Sequence, residues 1–147
     1  MRAFFRDKLE YHLYSNRQII DSLLEDGSKT SEDMIKLISH TLHAQGIWNN
    51  RILGQQYTGG VWDLIELTEL HDLNDSLHHQ SLEILEGTDL SKEVIYSNSR
   101  GQAFNNTVAQ ILYHLINHGT YHRGQIMILM SEAGIQTFGS DYVVYKR

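Results

Sequence analysis

Asn117-His118-Gly119-Thr120-Tyr121-His122-Arg123-Gly124-Gln125 holds two histidines four residues apart, a spacing that projects both imidazoles from one side of a helix. A helix offers two nitrogen ligands to one metal ion in this way. His114 stands one turn earlier and has to be told apart from the pair. The apolar residues Val108, Leu112, Leu115, Ile126 and Met130 fall within a narrow arc when each residue advances about 100° around the axis. His122 lies about 40° from the centre of that arc, His118 about 80° and His114 about 120°. His122 and His118 therefore face or border a core, and His114 leans outward.

This helix is expected from about Asn106 to Ala133, capped by Asn105-Asn106-Thr107 and ended by Gly134. Gly119 and Gly124 lie inside it, each at a cost of about 1 kcal/mol relative to alanine. Glycines kept at that cost point to close approach by a neighbouring backbone or a partner. Upstream, Phe5, Leu9, Leu13, Ile20, Leu23 and Leu24 define a first helix from about Arg2 to Glu25, closed by Asp26-Gly27-Ser28. A second follows a cap at Thr30-Ser31 and runs through Met34, Ile38, Leu42, Trp48 and Ile52 to Gly54. Gln55 to Asp63, with Gly59-Gly60, reads as a loop, and Val61 to Ile65 as a short helical turn. A third helix spans about Thr68 to Glu86. Between Thr88 and Phe104 the β-tending Val94-Ile95-Tyr96 and Gln102-Ala103-Phe104 flank Ser97 to Gly101, which predicts a small hairpin or extended excursion. The tail from Ile135 to Arg147 is expected to pack over the helices. The fold class is all-α, a four-helix bundle with a short extended excursion before its last long helix.

The chain has 147 residues and 41% hydrophobic content, enough for one domain, 1–147, with a substantial core. No apolar run approaches the roughly 18 residues of a membrane span, and the N-terminus lacks the apolar block of a signal peptide. A soluble, cytoplasmic protein is expected. A formal charge of −6 without a Lys/Arg cluster argues against nucleic acid as partner. The absence of cysteine excludes disulfides, thiolate metal sites and thiol nucleophiles, so a metal must be held by His, Asp or Glu.

Nine histidines are available. A third ligand should come from a helix facing His118 and His122. Helix two offers His40 and His43, between which its wheel does not decide; helix three offers His71, His78 and His79, and helix one His12. Most of these read on their own as members of a solvated polar face. Other chemistries fail on sequence. A zincin needs Glu directly after its first histidine, whereas Leu115 follows His114 and Gly119 follows His118. Di-iron bundles need Glu-x-x-His on two helices, and no helical histidine here has Glu three residues before it. Neither a Gly-x-Ser-x-Gly elbow nor a glycine-rich phosphate loop occurs.

Leu112 to Ile126 resembles the fourth-helix signature of the DinB family, the damage-inducible, DinB/YfiT-like metalloenzymes. His40 placed eight residues before Trp48 with Arg51 beyond, the excursion around Gly101, and Ser140 to Tyr145 are also similar to that family. The resemblance implies that His40, His118 and His122 hold a divalent metal, commonly nickel or zinc, which settles the choice the helix-two wheel leaves open. It implies up-down-down-up connectivity, a homodimer, and a metal-dependent hydrolase or a transferase acting on a small-molecule thiol. Gln45 stands where relatives often carry an acid. Arg123 is the candidate for binding an anionic part of a substrate, against the alternative of bracing the bundle through a carboxylate. The competing expectation is a non-catalytic, dimeric binding or stress-response module with a structural metal or none.

Overall fold

The computed structural model describes residues 1–98 and 100–147. The long helices are α1 (Arg2–Glu25), α2 (Glu32–Leu53), α3 (Leu70–Gly87) and α4 (Val108–Glu132). A single 3-10 turn, Leu67–Glu69, leads into α3, and a four-residue helix α5 (Tyr142–Tyr145) closes the chain. Among the described residues, no helix is long and apolar enough to cross a membrane.

Local chemistry sets the helix ends. The Ser31 hydroxyl accepts from the Met34 amide at the start of α2, and Gly54 ends that helix in the left-handed conformation at φ 69°, which glycine adopts without steric cost. At the start of α4, Thr107 and Gln110 form a reciprocal capping box. Asn105 and Asn106, expected in that cap, belong instead to a strand. The excursion is a hairpin in which β1 (Glu93–Ser97) pairs antiparallel with β2 (Ala103–Thr107), Glu93 opposite Thr107 and Ser97 opposite Ala103. The Val61 to Ile65 segment is a turn and extended chain rather than a helix.

Contacts along the helices give their relative directions. Arg6 bonds Glu86, Asn16 bonds Asn74 and Asp21 pairs with His71, so α1 and α3 run in opposite senses. His40 meets His118 while Trp48 meets His114, so α2 and α4 are also opposed. The tail does pack over the helices. Tyr142 and Tyr145 lie against Tyr11, and the Tyr142 hydroxyl bonds Asp7.

The core is divided into two apolar clusters. One joins Phe5, Leu9, Ile52, Ile84, Leu85, the hairpin residue Val94 and α4 from Val108 to Ile116. The other joins Ile19, Ile20, Leu23, Met34, Ile38, Leu42, Leu77, Ile126 and Met130. Between them each long helix contributes buried polar residues, among them His12, Ser15 and Asn16 from α1, Gln45 and Asn49 from α2, His78 and Ser81 from α3 and Arg123 from α4. Ser81 ties this belt together, accepting from Gln45 and Asn49 at 2.9 Å each and donating to the Asn49 carbonyl at 3.1 Å. Pairing of this kind removes most of the penalty for burying amides. His12 and His78 are buried members of the belt, not parts of a solvated face.

Candidate metal centre

Three imidazoles converge at mid-height between α2 and α4. The Nε2 atoms of His40 and His118 are 3.2 Å apart, and those of His118 and His122 are 3.1 Å apart. Among the described residues, His40, His118 and His122 are the one group of three metal-ligating side chains whose donor atoms all lie within 4.8 Å of one another. His40 and His122 are buried and His118 is partly exposed, so His118 is the member of the group that solvent touches most. His114 is exposed and stacks edge-on against Trp48, one turn below. The order of burial follows the angles read from the α4 wheel.

The Nδ1 partners of His40 and His122 set the form of those two imidazoles. His40 Nδ1 lies 2.9 Å from the Val61 carbonyl oxygen, which only accepts, so Nδ1 carries the hydrogen and Nε2 the lone pair. His122 Nδ1 stands 2.7 Å from Gln125 Oε1 and donates to it by the same logic. His118 therefore sits between two lone pairs and has at most one Nε2 hydrogen to share. At least one nitrogen faces another with no hydrogen between them, an arrangement relieved by a cation. A metal about 2.0–2.1 Å from each nitrogen separates adjacent donors by about 3.3–3.4 Å in a tetrahedron and about 2.9 Å at right angles. The distances of 3.1 and 3.2 Å fall between these values.

Electrostatics favour the ligand form of two of the rings, His118 and His40. Burial, followed by the neighbouring His122 and His40 rings, pushes the His118 imidazole down to about 4. Burial also lowers His40, against the opposing effect of its bond to Val61. Neutral imidazole is the form that binds metal.

The loop between α2 and α3 completes the surroundings of His40. Trp62 stacks flat on the imidazole, with centroids 3.8 Å apart and planes 8° from parallel. Sequence patterning does not reveal this residue's place, because it lies in the chain's least periodic segment. Tyr121, an exposed residue within the signature, stands edge-on to His122 at 5.0 Å.

Arg123 points to a different place. Its guanidinium is buried against α1, where it donates to the Tyr11 hydroxyl at 2.6 Å and to Thr120 at 3.0 Å and lies over the Tyr11 ring. It braces α4 to α1 through the Tyr11 phenol rather than through the carboxylate of the bracing alternative. His43 is as buried as His40, but its Nδ1 is engaged by the Tyr57 hydroxyl at 2.8 Å. His71 pairs with Asp21 and His78 with Glu10, away from the centre. Gly119 has a buried neighbour, since a methyl group there would lie 2.5 Å from His12 Nδ1, whereas nothing stands within 4 Å of one at Gly124.

Comparison with known proteins gives the chain's relatives. The chain is 25% identical over 154 residues to Protein DinB of Bacillus subtilis (strain 168), a match covering 92% of this chain and 90% of that protein. No solved structure gives a significant match. The DinB family model matches residues 19–147, which include all three converging histidines, and the chain therefore belongs to the DinB family.

Proposed function

We propose that this protein is a metal-dependent enzyme, a hydrolase or a transferase acting on a small-molecule thiol, that holds a divalent ion on His40, His118 and His122. The observation that carries the metal reading is the meeting of three Nε2 atoms, two of them held as lone pairs by bonds at the far side of their rings. Nickel and zinc suit three neutral imidazoles, which leave the ion its full charge and room for a further ligand. When bound, such an ion acts as a Lewis acid that lowers the pKa of a bound water or thiol. The chain's own part is orientation: Val61 and Gln125 fix two rings, and Trp62 shields one face of His40 from water. The partial exposure of His118 leaves a way in for a substrate, and this favours catalysis over a closed structural site.

The helix contacts support a single-domain four-helix bundle running up, down, down, up, with the site between its second and fourth members. We place the protein in the cytoplasm as a homodimer, without a nucleic-acid or membrane partner. Metal analysis by plasma mass spectrometry tests the ligand set. One ion per chain is expected in the wild type and in His114→Ala, with loss in His40→Ala, His118→Ala and His122→Ala. Unchanged metal in the last three would refute the site. A screen of the loaded protein for thiol transfer and ester or amide hydrolysis tests catalysis, and metal without turnover of any of them would favour the binding module.

A further inference from the structure

His43 and Tyr57 form a second contact between α2 and its following loop, one helical turn from His40. The Tyr57 hydroxyl and His43 Nδ1 are 2.8 Å apart. The Tyr57 ring lies where Gly46 has no side chain, and a methyl there would come within 2.6 Å of the ring's Cζ. Gly59, at φ 137°, passes over both rings, with a built methyl 3.3 Å from His43 and 3.4 Å from Tyr57. That φ belongs to glycine. Two absent side chains and one hydrogen bond thus seat the loop on α2.

Two residues beyond Gly59, the Val61 carbonyl takes the Nδ1 hydrogen of His40, and Trp62 covers the ring. The Gly60 to Asp63 turn is closed by its own bonds, and the far end of the loop is tied where the Ile65 amide donates to Ser39 Oγ at 3.1 Å. The acceptor that sets the His40 tautomer therefore belongs to a strap pinned on either side of it. We infer that His43 and Tyr57 are a positioning pair: by seating this strap they fix the imidazole of His40, and with it the affinity of the centre, without touching the ion. Groups that orient a metal-ligating histidine are worth about 10–100-fold in affinity.

The inference rests on the metal reading for its affinity consequence, and the experiment has one arm that does not. Tyr57→Phe keeps the ring on Gly46 and removes only the hydroxyl. Zinc affinity, measured by competition with a chromophoric chelator, is expected to fall about 10–100-fold, while the metal-free melting temperature changes little. Gly46→Ala, which displaces the ring and keeps its hydroxyl, is expected to weaken zinc to a similar extent. The second arm reads the imidazole nitrogens of His40 by NMR in the metal-free protein at pH 8. Wild type is expected to show the Nδ1–H tautomer and Tyr57→Phe a mixture of both. An unchanged tautomer in Tyr57→Phe overturns the positioning role, as does unchanged zinc affinity in a wild type that binds zinc. A wild type that binds no metal refutes the proposed function instead, and the tautomer still decides the strap.

Discussion

Replacing Gly119 and Gly124 separately by alanine should move stability in opposite directions, although both lie within α4 and are only five residues apart. In a helix interior the change from glycine to alanine gains about 1 kcal/mol, because it removes backbone freedom from the unfolded chain. Gly124 is exposed and its added methyl meets nothing within 4 Å, so that gain stands alone. At Gly119 the methyl would lie 2.5 Å from His12 Nδ1, nearly an ångström inside ordinary contact. The ring has nowhere simple to go: His12 is 3% exposed, and its Nε2 contacts Asn16, which itself donates to Asn74. Overpacking of this kind costs about 1–3 kcal/mol. A value near the upper end leaves Gly119→Ala less stable than wild type by about 1–2 kcal/mol, and the two variants about 2–3 kcal/mol apart. For a chain of this size that is a melting-temperature difference of roughly 5–10 °C. Thermal and guanidinium unfolding followed by circular dichroism, with chelator present to keep metal binding out of the comparison, measures it. Because the clash requires the ring, Gly119→Ala should cost less in a His12→Ala background, by more than about 0.5 kcal/mol. Equal stability of the two single variants, or strict additivity with His12→Ala, would refute the account of Gly119.

Metal-free stability should fall with acid, most steeply through the two histidines that burial lowers furthest. Burial, then the charge of Arg123, lowers His12 to about 3, and His118 is lowered to about 4, both from 6.5. The folded state binds fewer protons than the unfolded, so this contribution is complete above pH 6.5 and declines as pH falls toward 4 and then 3. The slope is up to about 1.4 kcal/mol per pH unit for the fully buried His12 and less for His118, which solvent screens. Urea midpoints that stay constant from pH 7 to pH 4 would contradict it. Gln125→Leu removes the acceptor that holds His122 Nδ1 and should weaken zinc about 10–100-fold. Chelator competition reads the loss, and wild-type affinity in this variant would show that His122 is oriented by packing alone.

Much of the architecture was legible because it rests on signals internal to one segment. The apolar period and the turn at Asp26 bound α1, a serine cap and a left-handed glycine bound α2, and Gly134 follows α4 at φ 70°. The angle of each α4 histidine to its apolar arc also ordered their burial. Where two segments had to be read together, the sequence misled. Asn105 and Asn106 look like helix caps, but pairing with Ile95 and Val94 claims them for β2. His12 and His78 read on their own as members of a solvated polar face. They are buried because each of the four long helices contributes polar residues between the two apolar clusters, and a segment read alone cannot register that coincidence.

His40 and His43 show the same boundary at the scale of a single atom. Three residues apart, they differ by about 60° around α2, and both are 7% exposed, so neither direction nor burial separates a ligand from a neighbour. The separation lies in what each Nδ1 meets. A main-chain carbonyl can only accept, and it forces the His40 lone pair onto Nε2, toward α4. A phenol hydroxyl can donate or accept, so it anchors the His43 ring without dictating where the lone pair sits. Both partners come from the loop between α2 and α3, where sequence periodicity is weakest. Identical side chains on one helix thus receive different chemistry from a segment that has no helical pattern to read.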